Sequence, residues 1–157
     1  LYQQLPEIMP IFTFVTSGSS LLGIYSAWKK LRELGCISDL PSLQAVQGTP
    51  EGLAGQGGIK KTRRAGKIKE VLEKSGGKKW QISDQEIKSI ASWLSENDIK
   101  TSPEGAAALA AFSKSEYHQA VCILSGKHYP EERLQPTDYH RVWRAEDFAD
   151  IDKIIAS

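Results

Sequence analysis

The sequence predicts an α/β domain in three layers, a parallel sheet flanked by helices, and two observations carry that expectation. Three short runs read as strands buried on both faces: Ile11-Phe12-Thr13-Phe14-Val15, Leu43-Gln44-Ala45-Val46-Gln47 and Ala120-Val121-Cys122-Ile123-Leu124. Between them lie segments whose apolar residues recur at helical spacing. A helical crossover returns the chain in the direction it came from, so the first two strands and the helix between them make a βαβ unit with parallel pairing.

Each element has its own signal. After Ile11 to Val15 the chain passes through Thr16-Ser17-Gly18-Ser19-Ser20 into a helix marked by Leu21, Ile24, Tyr25, Trp28 and Leu31, with Gly35 at the place of a C-terminal cap. Pro41 turns the chain into the strand Leu43 to Gln47. Residues Gly48 to Gly58, rich in Gly, Pro and polar side chains, read as a loop. Lys67 to Lys74 is a short helix with Ile68, Val71 and Leu72 inward and Gly76-Gly77 at its end. Ser83-Asp84-Gln85-Glu86 is a capping box, opening a helix whose core face is Ile87, Ile90, Ala91 and Leu94. Ser102-Pro103-Glu104 starts the next helix, with Ser as N-cap, Pro at the first helical position and an acid in the first turn. Its run Ala106 to Ala111 allows close approach to a neighbour. The strand Ala120 to Leu124 ends in Ser125-Gly126, and Phe148, Ile151, Ile154 and Ile155 mark a last amphipathic helix.

The chain has 157 residues, 40% of them apolar and 25% charged, which suits one globular domain with a sizeable core. A net charge of +1 provides no field to recruit nucleic acid or an anionic membrane, so neither is expected as a partner. The basic run Lys60-Lys61-Thr62-Arg63-Arg64 has no aromatic residue interleaved and reads as a solvated loop or a phosphate-facing patch. Cys36 and Cys122 stand far apart, and His118, His128 and His140 fit no zinc spacing; reduced thiols in a cytoplasmic, metal-free protein are expected. Leu1-Tyr2-Gln3-Gln4-Leu5-Pro6 opens without an initiator Met and reads as the last turn of a helix begun earlier, which suggests a fragment.

The segment Thr16 to Ser20 carries the strongest chemical signal. A strand that runs through small hydroxyl residues into a helix leaves backbone N–H groups unpaired at the helix start, Gly18 clears the approach, and the hydroxyls add donors; a phosphate fits there. A well-capped helix without a ligand would look similar. The segment matches neither the Gly-x-x-x-x-Gly-Lys-Ser/Thr loop nor the Gly-x-Gly-x-x-Gly fingerprint of nucleotide-binding proteins.

Val15-Thr16-Ser17-Gly18-Ser19-Ser20-Leu21-Leu22-Gly23-Ile24-Tyr25, with Trp28 to Leu31 and Gly35 to Pro41, is similar to the phosphate loop, helix and turn of threonine synthases. Ser83 to Ile87 and Thr101 to Ala111 resemble later helices of that family in the same order, and Val121-Cys122-Ile123-Leu124-Ser125-Gly126 resembles its closing strand. The loop is richer in serine than the Gly-Asn-Gly version of many relatives, and Ser125 to Tyr129 is not a clean copy of theirs. The resemblance implies the tryptophan-synthase-type fold of pyridoxal-phosphate (PLP) enzymes, fold type II. Residues 1–157 would then be the C-terminal part of the cofactor-binding large domain.

By the same resemblance Thr16, Ser17, Gly18, Ser19 and Ser20 would hold the cofactor's 5′-phosphate, and Ser125 would face its pyridine nitrogen. A neutral hydroxyl there draws carbanion charge into the ring less completely than a carboxylate would, favouring loss of a leaving group from the next carbon over transamination. The Schiff-base lysine of the family lies well before the phosphate loop, and no lysine precedes Thr16. No catalytic residue is therefore assigned, and the isolated chain is expected to be inactive. The downstream lysines, from Lys29 to Lys153, read as solvated residues on helix faces or loops.

The implied activity of the full-length parent, a possible homodimer, is conversion of O-phosphohomoserine, a small amino-acid substrate, to threonine and phosphate. The run Pro103-Glu104-Gly105-Ala106-Ala107 favours this reading. A β-replacement enzyme making cysteine, cysteate or a related amino acid shares the fold, and a non-catalytic α/β module that binds a phosphate-bearing ligand or a protein partner is the reading from another class.

Overall fold

The structure, a computed structural model, describes Leu5, residues 7–54 and residues 62–126. The last predicted helix, around Phe148 to Ile155, and the opening residues 1–4 lie outside the described residues. Four strands and four helices alternate through most of the described chain: β1 (Ile11–Phe14), α1 (Ser19–Glu33), β2 (Leu43–Gly48), α2 (Ala65–Ser75), β3 (Lys79–Ile82), α3 (Asp84–Glu96), α4 (Pro103–Ser113) and β4 (Val121–Ile123). The strands form one all-parallel sheet in the order β3-β2-β1-β4. Parallel pairing of the first two predicted strands is thus observed, with Ile11 opposite Leu43 and Phe14 opposite Val46.

Side-chain alternation along the strands divides the core in two. Ile11, Val15, Leu43 and Ala45 face α1 and α2, packing with Leu21, Trp28, Ile68 and Val71. Phe12, Phe14, Val46 and Ile82 face the other way, against Ile87 and Leu94 of α3 and the alanine run of α4. Ala106, Ala107, Ala108, Ala110 and Ala111 are all buried, so this helix lies close on the sheet, as the small side chains predict. The result is the expected three-layer arrangement, with α1 and α2 on one face and α3 and α4 on the other.

Local signals behave as the sequence indicates. Gly35 has φ 72°, and the N–H groups of Gly35 and Cys36 donate to the Arg32 and Leu31 carbonyls, closing α1. Gly76, at φ 64°, ends α2 in the same left-handed conformation. Ser83 caps α3 reciprocally: its hydroxyl accepts from the Glu86 N–H, and the Glu86 carboxylate accepts from the Ser83 N–H at 2.8 Å and from its hydroxyl at 2.7 Å.

The strand β3 has no counterpart among the sequence expectations. Lys79-Trp80-Gln81-Ile82 is short and half polar, and only Ile82 is buried; it sits at the sheet edge, where the period-2 signal has one wet face. Trp80 is held from inside by Gln44. That amide is fully buried on β2, accepts from the Trp80 ring N–H at 2.8 Å and from the Lys78 N–H at 3.3 Å, and donates to the Ser42 and Tyr117 hydroxyls. A buried amide with this many partners ties the edge strand to the sheet interior.

The capping box also sets an acid-dependent part of the stability. The Lys114 ammonium, 2.6 Å from the Glu86 carboxylate, and then the Ser83 hydroxyl and N–H hold the Glu86 pKa at about 2, below its ordinary value of 4.5. A depressed carboxyl pKa gives stability that is complete above 4.5 and lost as pH falls through the folded value near 2. The Glu86 side chain is 35% exposed, so solvent screening leaves a contribution of about 1 kcal/mol. Urea unfolding at pH 7 and pH 2.5 should show this loss in the wild type and a smaller one in Lys114→Met; equal pH sensitivity in the two would count against the pair.

Candidate functional site

In an open parallel sheet, ligands bind outside the carboxyl ends of the strands, where neighbouring crossovers leave for opposite faces. Here that switch point lies between β1 and β4. The crossover from β1 to β2 runs through α1 on one face, whereas the chain reaches β4 through α4 on the other. The segment Thr16 to Ser20 follows β1, and Ser125 follows β4. Because β1 and β4 pair in parallel, with Thr13 opposite Ile123, the two predicted groups occupy the same edge of the sheet on adjacent strands.

The loop is shorter than the sequence suggests, because Ser19 and Ser20 already belong to the first turn of α1. Gly18 is the N-cap, at φ 83° and ψ 0°, and contributes no side-chain cap. The first helical bond is the Leu22 N–H to the Gly18 carbonyl, 3.0 Å. Of the N–H groups before it, Ser19 makes only a long contact of 3.5 Å with the Ser17 hydroxyl, and those of Gly18, Ser20 and Leu21 take no acceptor among the described residues. Thr16, Ser17, Ser19 and Ser20 are exposed. Gly18 and Leu21 are buried, so the edge presents the Ser20 N–H and the nearby hydroxyls at its surface, with the Gly18 N–H beneath them, which is the electrostatic character of an anion site.

Ser125 is exposed, and its hydroxyl has no partner among the described residues. Its backbone is held: its N–H donates to the Ile123 carbonyl at 3.1 Å and its carbonyl accepts from the Ser102 hydroxyl at 2.6 Å. Ser102 also caps α4, so the start of that helix and the end of β4 are pinned to each other. Gly105 keeps them close: a Cβ there would run into the Thr101 hydroxyl and approach the Ser125 carbonyl oxygen to 3.0 Å.

Three further residues join this edge that the sequence reading does not place in the site. The Thr62 hydroxyl donates to the Ser17 carbonyl at 3.0 Å, and the Arg64 Cβ lies within 3.9 Å of where a Gly18 Cβ would stand. The start of α2, with Arg63 and Arg64 exposed, thus lies beside the start of α1. The basic run 60–64 is the signal that pointed to this, through its phosphate-facing alternative. Gln47, at the end of β2 on the α1 and α2 face, is 5% exposed, and its amide nitrogen has no partner among the described residues. No periodicity or motif distinguishes that glutamine.

The ten lysines among the described residues are all exposed, in line with their reading as solvated side chains, although Lys79 lies on a strand, β3, and not on a helix face or loop. Lys60, Lys61, Lys127 and Lys153 fall outside the described residues. No group of three or more His, Cys, Asp or Glu side chains suited to a metal ion occurs among the described residues. Cys36 is exposed, while Cys122 is half-buried and its thiol pKa is pushed up to about 11 by burial. No described helix is long and apolar enough to cross a membrane.

No protein-family model matches the chain, and no curated protein is similar to it. Sequence and structure together establish a small α/β domain with a four-stranded, all-parallel sheet and helices packed against it.

Proposed function

We propose that this chain holds the phosphate and ring-nitrogen contacts of a PLP lyase resembling threonine synthases, as part of the large domain of a fold type II enzyme. In this reading the full-length parent converts O-phosphohomoserine to threonine and phosphate. The observation that supports it is the pairing of β1 with β4, which sets unpaired helix-start donors and an unpartnered serine hydroxyl on one sheet edge. That combination suits a ligand with a phosphate at one end and a ring nitrogen at the other. The cofactor, when bound, supplies an electron sink for charge developing on the substrate.

The remaining roles belong to the chain. The N–H groups of Gly18, Ser19 and Ser20 bind the phosphate, aided by the hydroxyls of Thr16, Ser17, Ser19 and Ser20, and Arg64 adds positive charge beside them. Ser125 orients the ring through its nitrogen without a formal charge, and the Ser102 bond to its carbonyl fixes the backbone from which it acts. The amino-acid substrate meets the cofactor at this edge.

Equilibrium binding to the chain as it stands reads the two ends separately. PLP should bind at least about tenfold more tightly than pyridoxal, which lacks the phosphate, and sulfate should compete with it. Ser125→Ala should weaken PLP binding severalfold and leave sulfate binding unchanged; Arg64→Met should weaken both. Equal affinity for PLP and pyridoxal, or equal effects of Ser125→Ala on PLP and sulfate, would remove the basis of the proposal.

A further inference from the structure

On the opposite face of the sheet from the start of α1 lies a cavity of about 490 Å³, between α3 and the segment that leads into α4. Its size is that of a small-molecule site. Leu53, Ile87, Ala91, Ile99 and Pro103 give it apolar walls, and Leu53 and Ile99 remain 49% and 42% exposed. Two half-exposed aliphatic side chains lining one hollow are a concentration of wet apolar surface, which marks a binding surface more often than a solvated one.

The polar lining has one sign. Lys88 and Lys100 border the cavity, and among the described residues neither forms an ion pair and no carboxylate lines it. The five ion pairs of the described residues involve other lysines, and the nearby Asp84 carboxylate is engaged by the Leu53 N–H at 3.0 Å. Ser92, Ser95 and Thr101 also line it.

We propose that this cavity is a second ligand site, separate from the phosphate edge, and that it takes a small aliphatic carboxylate. The aliphatic chain covers Ile87, Ala91 and Ile99. The carboxylate supplies negative charge and acceptor oxygens beside Lys88 and Lys100. The proposal does not rest on the PLP reading, since its ligand, face and residues are different.

Octanoate and octan-1-ol, which share the chain and differ in charge, are the probes. Titrated into the full chain with labelled methyl groups and followed by NMR, octanoate should shift the Leu53, Ile87, Ala91 and Ile99 methyls saturably. It should bind about tenfold more tightly than the alcohol at low salt, the size expected of two solvent-exposed ion pairs. In the double variant Lys88→Met, Lys100→Met the two ligands should fall within about twofold of each other. Both lysines are exposed, so the variant keeps the fold, which its unfolding midpoint checks. Absence of saturable shifts, or equal affinity of acid and alcohol for the wild type, overturns the proposal. So do contacts, in the ligand-free chain, between these methyls and a second copy or residues 127–157, for the hollow would then be a protein interface.

Discussion

Gly18→Ala should lower the stability of the domain by about 2–5 kcal/mol and abolish the proposed phosphate binding at the start of α1. Two costs combine. Gly18 holds φ 83°, a left-handed conformation that costs an alanine about 1–2 kcal/mol. Its new methyl group would stand 2.5 Å from Ile68 Cδ1 and 2.9 Å from Cγ1. Ile68 is fully buried in the α1 and α2 core, so it gives way only by disturbing its neighbours, a strain of about 1–3 kcal/mol. The binding loss follows because relief of either strain moves the turn that aims the N–H groups. Combining Gly18→Ala with Ile68→Val, which removes Cδ1, should recover about 1 kcal/mol of coupling in a double-mutant cycle, leaving the dihedral part in place. Ser20→Ala, at an exposed position, should lower anion affinity with little change in stability. Urea unfolding and sulfate titration measure the two effects; a Gly18→Ala protein with wild-type stability would show that the turn is not held as described.

Phe12→Ala should be the most destabilising single truncation, at about 3–5 kcal/mol. Phe12 is fully buried at the centre of the second core, and its ring lies 5.8 Å from Phe112, 6.0 Å from Trp80 and 6.1 Å from Tyr117. Those partners come from α4, β3 and the segment before β4, so one ring joins the sheet interior, its edge strand and the covering helix. The Phe112 and Tyr117 contacts are edge-on, a favoured aromatic geometry that adds to simple burial. Removal leaves a cavity walled on the α4 side largely by short alanines, which cannot move in to fill it. Against a typical domain stability of about 5–15 kcal/mol, such a loss takes a large share. Phe12→Leu should cost clearly less, because most of the volume remains. Chemical denaturation of the two variants decides it: a cost under about 1.5 kcal/mol for the alanine variant would mean that this face is not packed around Phe12.

Where the signal is short-range, the sequence alone determined the element. The serine caps of α3 and α4, the glycines that end α1 and α2, and the strands β1 and β2 follow from neighbouring residues, since capping, left-handed turns and continuous apolar runs are local physics. The donors at the start of α1 were legible for the same reason, because a helix start leaves its N–H groups unpaired whatever surrounds it. Strand order and everything that depends on it were decided by the tertiary structure. Lys79 to Ile82 becomes a strand because β2 offers it an edge and Gln44 a partner for Trp80, not because its own residues demand it. Ser125 comes to the edge that carries Gly18 only through the pairing of β4 with β1. Arg64 and Gln47 reach it through the packing of α2 on the α1 face and the place of β2 in the sheet. Such contacts join residues far apart in the chain, and their free energy depends on burial and alignment that no local window contains.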